Sequence, residues 1–369
     1  MVNKIAFVMT DWTTWEHLKN IIHALPADSY DIVVCKNESE KACCLRTLAR
    51  TFVRFTNGRI HVMNKLKLED FRNIGNVRTM DEVLLSGLRY KCAICVFPES
   101  TGWKNGRLKI ELIAESLIRA SFITGAYSYI LCKEINKKFD YILCSGKEQK
   151  KAYVQSGIRA EVLDLGNPRL LQPPAYSVEM DPIFQRLDKN KKTILWIPTH
   201  GRRKSSVADY LSVFSKLQED FNVIMSSPPC TIYGDFCFIR WRIKQKIERV
   251  VTDRDSASLM PLADFVFCDY GGSPLTAIYY DKNVLLLNSR WRNWIQRELG
   301  KSPEVLIRNG IVNFNVTDSY EYFLGILNDD EMWKQQKHIR QRYREKYFSC
   351  SSEDAVKKIC EFILKLLAN

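Results

Sequence analysis

The chain has 369 residues, a formal charge of +13, 46% hydrophobic residues, 16 glycines and 12 prolines. It is too long for one compact core of ordinary size and too apolar, with too little glycine and proline, for a disordered or fibrous chain; two globular domains suit it. The basic excess calls for an anionic partner, which could be nucleic acid, an acidic membrane surface or a phosphorylated substrate.

Short apolar runs alternate with helical stretches from the start. Ile5–Met9 reads as a strand, followed by a helix carrying Trp15, Leu18, Ile22 and Leu25 at helical spacing. Further strands are expected at Ile32–Cys35, Ala93–Phe97, Tyr141–Cys144 and Glu161–Leu165, and helices at Asp81–Leu88, Leu108–Ser121 and Lys147–Ser156. This is a Rossmann-like domain over residues 1–170, with a mostly parallel sheet. Gly166-Asn167-Pro168-Arg169 closes it, and residues 171–192, with Pro173-Pro174 and Pro182, read as a linker.

The alternation restarts in a second Rossmann-like domain, residues 193–345. Its strands are expected at Ile194–Ile197, Asn222–Met225, Phe265–Cys268 and Val284–Leu287, with helices at Val207–Gln218, Ser256–Leu262 and Pro274–Tyr280. Glu331–Leu367 is helical, its last part (346–369) forming a carboxyl-terminal helix expected to pack back on the first domain. The fold class is therefore α/β, two Rossmann-like domains facing across a cleft, with ligands at the carboxyl ends of the strands.

Cys35, Cys92, Cys95, Cys144 and Cys268 lie inside apolar runs, where a free thiol is a small hydrophobe. Cys92 and Cys95 are separated by Ala-Ile within a strand, which turns the thiols to opposite faces, and no second pair completes a zinc site. No metal and no cofactor is expected, and the pattern fits a reducing cytosol. Ile5–Met9 is too short for a signal peptide, and no run approaches the ~18 apolar residues that span a bilayer. Phe238–Val250 interleaves Arg240, Arg242, Lys244, Lys246 and Arg249 with Phe238, Trp241, Ile243 and Ile247. It reads as an amphipathic helix suited to an anionic membrane surface, and nothing resembling a recognition helix or an aromatic RNA platform supports nucleic acid.

The densest signal is Leu262–Asn288: a buried strand, an Asp269-Tyr270-Gly271-Gly272-Ser273 turn, a helix start and a second buried strand. Such a turn leaves backbone N–H groups free for an anion, and glycine lets a phosphate approach. Taken with Trp15-Glu16-His17, Leu165-Gly166-Asn167-Pro168-Arg169, Ile197-Pro198-Thr199 and Lys346-Tyr347-Phe348, it resembles the CDP-glycerol glycerophosphotransferase family, the teichoic-acid primases and polymerases. The resemblance implies the glycosyltransferase-B architecture, a CDP- or CMP-linked donor bound mainly by the second domain, and a glycan or lipid-linked acceptor at the inner face of the plasma membrane. Two family histidines have no counterpart: Phe97-Pro98-Glu99-Ser100 and Ser226-Ser227-Pro228-Pro229 stand in their places. A nucleotide-sugar epimerase or hydrolase, or a non-catalytic nucleotide-binding relative, are the alternatives.

Transfer from a nucleotide diphosphate needs phosphate charge stabilised and an acceptor hydroxyl deprotonated. Glu99 is the first candidate base and Asp11 the second, both following strands. Donor-binding candidates are Thr199, His200, Arg202, Arg203, Ser226, Asp269, Tyr270, Gly271, Gly272 and Ser273, with Asn167 and Arg169 at the domain junction. Acceptor-side candidates are Trp12, Trp15, His17, Ser100 and Lys104. Asp253-Arg254-Asp255 precedes the Ser256–Leu262 helix, where capping is the expected role.

Overall fold

The structure is a computed structural model that describes residues 2–10, 12–35, 71, 74–104, 106–122, 133–171, 179–227, 231–252 and 254–368, with only the backbone of Glu99, Lys133, Tyr233, Gly234 and Cys237. Asp11, Pro173-Pro174, Pro228-Pro229 and Asp253 lie outside the described residues. The chain divides into two compact units, the first comprising residues 1–122, 130–169 and 349–369 and the second residues 123–129 and 170–348.

In the first unit the strands are β1 (Val2–Met9), β2 (Tyr30–Val34), β3 (Asn76–Thr79), β4 (Tyr90–Cys95), a small hairpin of β5 (Trp103–Lys104) and β6 (Arg107–Leu108), β7 (Ala114–Ser121), β8 (Tyr141–Cys144) and β9 (Glu161–Leu163). Seven of them form one sheet in the order β3-β2-β1-β4-β7-β8-β9, every pair parallel. One expectation fails here. Leu108–Ser121 is not a helix: only Ile110–Ile113 is helical, and Ala114–Ser121 is a central strand. Its Glu, Leu and Ala content favours a helix, but β4 and β8 offer it two ladders, and Leu117–Ser121 is buried throughout. Tertiary pairing overrides local propensity.

The helix Ser352–Ala368 packs against the first helix, Trp12–Ala24, within this unit. The Gly166–Arg169 motif fastens it. Gly166 has φ +96°, and a Cβ there would lie 2.6 Å from Cys350 Sγ and 2.7 Å from the Ala355 Cβ, so only glycine fits. Ser352 Oγ donates to the Asn167 carbonyl at 2.6 Å, and Asn167 Nδ2 donates to the Phe122 carbonyl at 3.0 Å.

In the second unit β10 (Thr193–Ile197), β11 (Asn222–Ser226), β12 (Arg249–Val251), β13 (Phe265–Cys268), β14 (Asn283–Leu287) and β15 (Asn313–Phe314) form a parallel sheet ordered β12-β11-β10-β13-β14-β15. Successive residues alternate between two cores. Leu195, Ile197, Val266, Cys268, Val284 and Leu286 fill one face. Ile194, Trp196, Phe265, Phe267, Leu285 and Leu287 fill the other, where Trp196 stacks on Phe214 at 4.1 Å. The continuous apolar runs of the sequence are strands buried on both sides.

The basic run also differs from its expected form. Only Arg240–Lys246 is α-helical, and Arg249–Val251 leaves it to become the edge strand β12. Asp255 caps the 3₁₀ helix Ser256–Leu262 by accepting from the Ala257 N–H. No helix among the described residues is long and apolar enough to cross a membrane.

Candidate functional site

Because the strands of the second unit are parallel, their carboxyl ends lie at one edge of the sheet, where backbone groups leave the ladder and loops gather polar side chains. Asp269, the first residue after β13, is fully buried. Its carboxylate accepts five hydrogen bonds: from the Thr199 N–H at 2.9 and 3.1 Å, the Ser206 N–H at 2.7 Å, the Ser206 hydroxyl at 2.9 Å and the Tyr270 N–H at 2.7 Å. Burial pushes its pKa up to about 6, against the lowering effect of those donors. Asp269 thus pins the loop after β10 to the end of β13, and its acceptor capacity is spent inside the protein.

The neighbouring loop remains open. Gly271, Gly272 and Ser273 are half-exposed. Gly271 has φ +94°, and a Cβ there would stand 3.1 Å from Thr199 Oγ1, so the turn requires glycine and brings the backbone against the β10 loop. Ser273 and Pro274 begin the helix Ser273–Tyr279.

Arginine and aromatic groups stand on the loops after β10 and β14. Arg202 Nε donates to the Asp235 carbonyl at 2.8 Å, while the Gly201 N–H donates to its carboxylate at 2.6 Å. The exposed Arg203 guanidinium lies 5.2 Å from the Trp291 ring and 4.9 Å from that of Trp294. Ser289 Oγ donates to the Arg203 carbonyl at 2.6 Å, tying the β14 loop to the β10 loop. His200 is exposed, and Ser226 is buried at the end of β11.

Two residues that the sequence reading missed stand beside these loops. Arg308 donates through Nη2 to the Asp269 carbonyl and through Nη1 to Asn288 Oδ1 at 2.8 Å, and its guanidinium stacks 4.0 Å from the Tyr270 ring. Its Nε is buried without a partner, and burial lowers its pKa. Glu304, in the short helix Pro303–Leu306, is 1% exposed, and its carboxyl group makes no hydrogen bond of good geometry. Burial pushes its pKa up to about 8, opposed by its own backbone N–H, Lys204, Arg308 and Ser302. The signals were present: Ser302-Pro303-Glu304 is a helix start, and Arg308 interrupts an apolar run.

No protein-family model matches the sequence, and no curated protein matches it. Solved structures do. The wall teichoic acid polymerase TagF superposes with a TM-score of 0.60 at 10% identity, over 99% of this chain and 89% of that one. A TagF variant soaked with CDPG gives 0.60 at 11% identity, over 99% and 89%. The UDP-GlcNAc 2-epimerase from Neisseria meningitidis, bound to UDP-GlcNAc, gives 0.56 at 14% identity over 98% and 100%. The fold is of the glycosyltransferase-B type. At these identities the likeness is one of fold.

In the first unit, Trp12, Trp15 and His17 lie on the helix that follows β1, and Glu99 and Ser100 follow β4, the parallel neighbour of β1. Glu99 and Ser100 lie in the 3₁₀ turn Pro98–Thr101 after β4, with Ser100 exposed. Lys104 is exposed on the β5–β6 hairpin. Trp12 is half-buried, 6.2 Å from Phe71. Trp15 is buried and edge-on to Phe71 and His23. His17 is buried and edge-on to Phe97, the residue before the Pro98 turn. Asn167 accepts from the Arg169 N–H at 3.1 Å. Asn167, whose carbonyl accepts from Ser352, and Arg169 lie in the first unit, while Thr199, Asp269 and the glycine turn share one edge of the second.

Proposed function

We propose that this chain is a transferase that moves a glycosyl or polyol-phosphate unit from a nucleotide-activated donor, CDP- or CMP-linked, to a hydroxyl of a cell-surface glycan or lipid-linked acceptor. The observation that carries the reading is the half-exposed Gly271–Ser273 turn, which requires glycine at φ +94° and stands between the loop after β10 and the helix Ser273–Tyr279. A nucleoside diphosphate would bring phosphate oxygens to Ser273 and the turn's N–H groups, with Arg202, Arg203 and Lys204 on the loop after β10. Glu99 would take the acceptor proton as the acceptor oxygen attacks, and the nucleotide would leave with the bonding electron pair. Ser100 and Lys104, both exposed and close to Glu99 in sequence, would meet the acceptor.

A thermal-shift panel of CDP-, UDP-, GDP- and ADP-linked compounds tests the donor assignment, since a ligand that binds only the folded state raises the melting temperature. Selective stabilisation by cytidine nucleotides is expected; no stabilisation by any nucleotide removes the reading. A second reading, a nucleotide-sugar epimerase or hydrolase, is supported by the fold shared with the UDP-GlcNAc 2-epimerase. Uridine selectivity with donor consumed in the absence of acceptor would favour it.

A lipid-linked acceptor places the enzyme at a membrane surface. Phe238 and Trp241 are 61% and 63% exposed, beside Arg240, Arg242 and Lys244. Basic residues near anionic lipid contribute roughly 1 kcal/mol each, and an exposed indole inserts at the interface. The protein is expected to sediment with vesicles containing anionic lipid and to remain free with neutral ones. Equal behaviour with both discards the membrane contact.

A further inference from the structure

β10 and β14 are the two neighbours of β13 in the second sheet, so the loops that follow them flank the turn after β13. A group attached to phosphates at that turn lies against one of these loops or points into solvent. The loop after β14 carries Trp291 and Trp294. Trp294 is half-buried and packs on Tyr270, Ile295 and Val305, and Tyr270 is the residue before Gly271. Trp291 is 44% exposed. The Arg203 guanidinium, from the loop after β10, lies against both rings. It is exposed, and it makes no ion pair and no side-chain hydrogen bond among the described residues.

An indole on an exposed loop is ordinarily free to turn, but this one is held from both sides. Ser289 Oγ accepts from the Trp291 N–H at 3.1 Å and donates to the Arg203 carbonyl at 2.6 Å. Arg290 donates to the Asp209 carboxylate from Nε at 2.6 Å and from its backbone N–H at 3.1 Å. Arg292 Nη1 donates to Asn315 Oδ1 at 3.0 Å. With its neighbours fastened and Arg203 against its ring, Trp291 offers an aromatic face that loses little freedom when a ligand covers it.

We propose that Trp291 is a stacking platform for a sugar ring, braced by Arg203, so that the unit carried by the donor is a glycosyl group and not an open-chain polyol phosphate. This rests on the reading that the Gly271–Ser273 turn takes the donor's phosphates. A pyranose ring has a flat face of C–H groups that an indole covers, and hydroxyls at its rim that accept from guanidinium N–H groups. An open-chain polyol has no such face. The platform therefore selects by shape, on the strand neighbour of the phosphate turn.

Calorimetry on the full chain compares CDP with CDP-glycerol and CDP-glucose, and UDP with UDP-GlcNAc, in the parent, Trp291→Phe and Trp291→Ala. A hexose-bearing nucleotide is expected to bind the parent about tenfold more tightly than its nucleoside diphosphate, the scale set by burying one indole face. CDP-glycerol should bind no better than CDP. Trp291→Ala should lose the hexose increment while keeping the affinity for the bare diphosphate, and Trp291→Phe should keep most of the increment. Nucleoside diphosphates that bind with no hexose increment, or an increment equal in Trp291→Ala and the parent, overturn this inference and leave the donor reading standing. A parent that binds no nucleotide at all removes both.

Discussion

Glu304→Gln raises the stability of the ligand-free protein at pH 8. The sign follows from burial. The native carboxyl is pushed from its ordinary value of 4.5 up to about 8, so folding favours the protonated form. Its favourable contribution is whole below pH 4.5 and is lost as pH rises through 8. At about 1.4 kcal/mol per unit, a shift of that size corresponds to roughly 5 kcal/mol between the two limits. A buried amide without partners recovers part of it, so a gain of a few degrees in melting temperature at pH 8 is expected, with the difference vanishing toward pH 4.5. Asp269, raised to about 6, contributes to both proteins and cancels in the comparison. Melting curves at intervals from pH 4.5 to 8.5 measure the effect. A variant less stable than the parent at every pH would show that Glu304 is compensated within the fold.

Glu99→Gln should leave nucleotide stabilisation intact and reduce turnover by about 10²–10⁴-fold, the ordinary contribution of a positioned general base. The amide keeps the shape of the side chain and loses its basicity. Release of the nucleotide product in the presence of acceptor measures turnover, and the melting shift with donor measures binding in the same preparation. Turnover equal to that of the parent removes Glu99 from the chemistry, whatever the donor proves to be.

Much of the architecture was legible because double-sided burial writes itself as unbroken apolar runs. Phe265–Cys268 and Val284–Leu287 could be read directly, and the β13 turn stood out through its glycine pair. Where the sequence misled, a longer-range partner decided. Ala114–Ser121 carries helix-forming residues and becomes a strand because β4 and β8 flank it. Arg249–Val251 drops out of an apparent amphipathic helix to pair with β11. Edge strands as short as β15 leave almost no periodic trace. The candidate site was half legible. Asp269 and the Gly271–Ser273 turn announced themselves, yet the carboxylate proves to be a strut between two loops. Glu304 and Arg308 lie more than thirty residues further on, and only folding brings Arg308 against the Asp269 carbonyl. Gly166 read as a domain-closing turn, and its missing Cβ also makes room for Cys350 and Ala355.

The central claim is that the Gly271–Ser273 turn holds the donor's phosphates. The most direct measurement is the melting-temperature shift produced by CDP in the parent protein and in Ser273→Ala. Ser273 is half-exposed at the start of its helix, so its hydroxyl can be removed with little change in the stability of the free protein. A clear CDP-dependent rise in the parent, largely lost in Ser273→Ala while the ligand-free melting temperatures agree, is the predicted result. An equal rise in both proteins would contradict the claim and move the phosphates elsewhere.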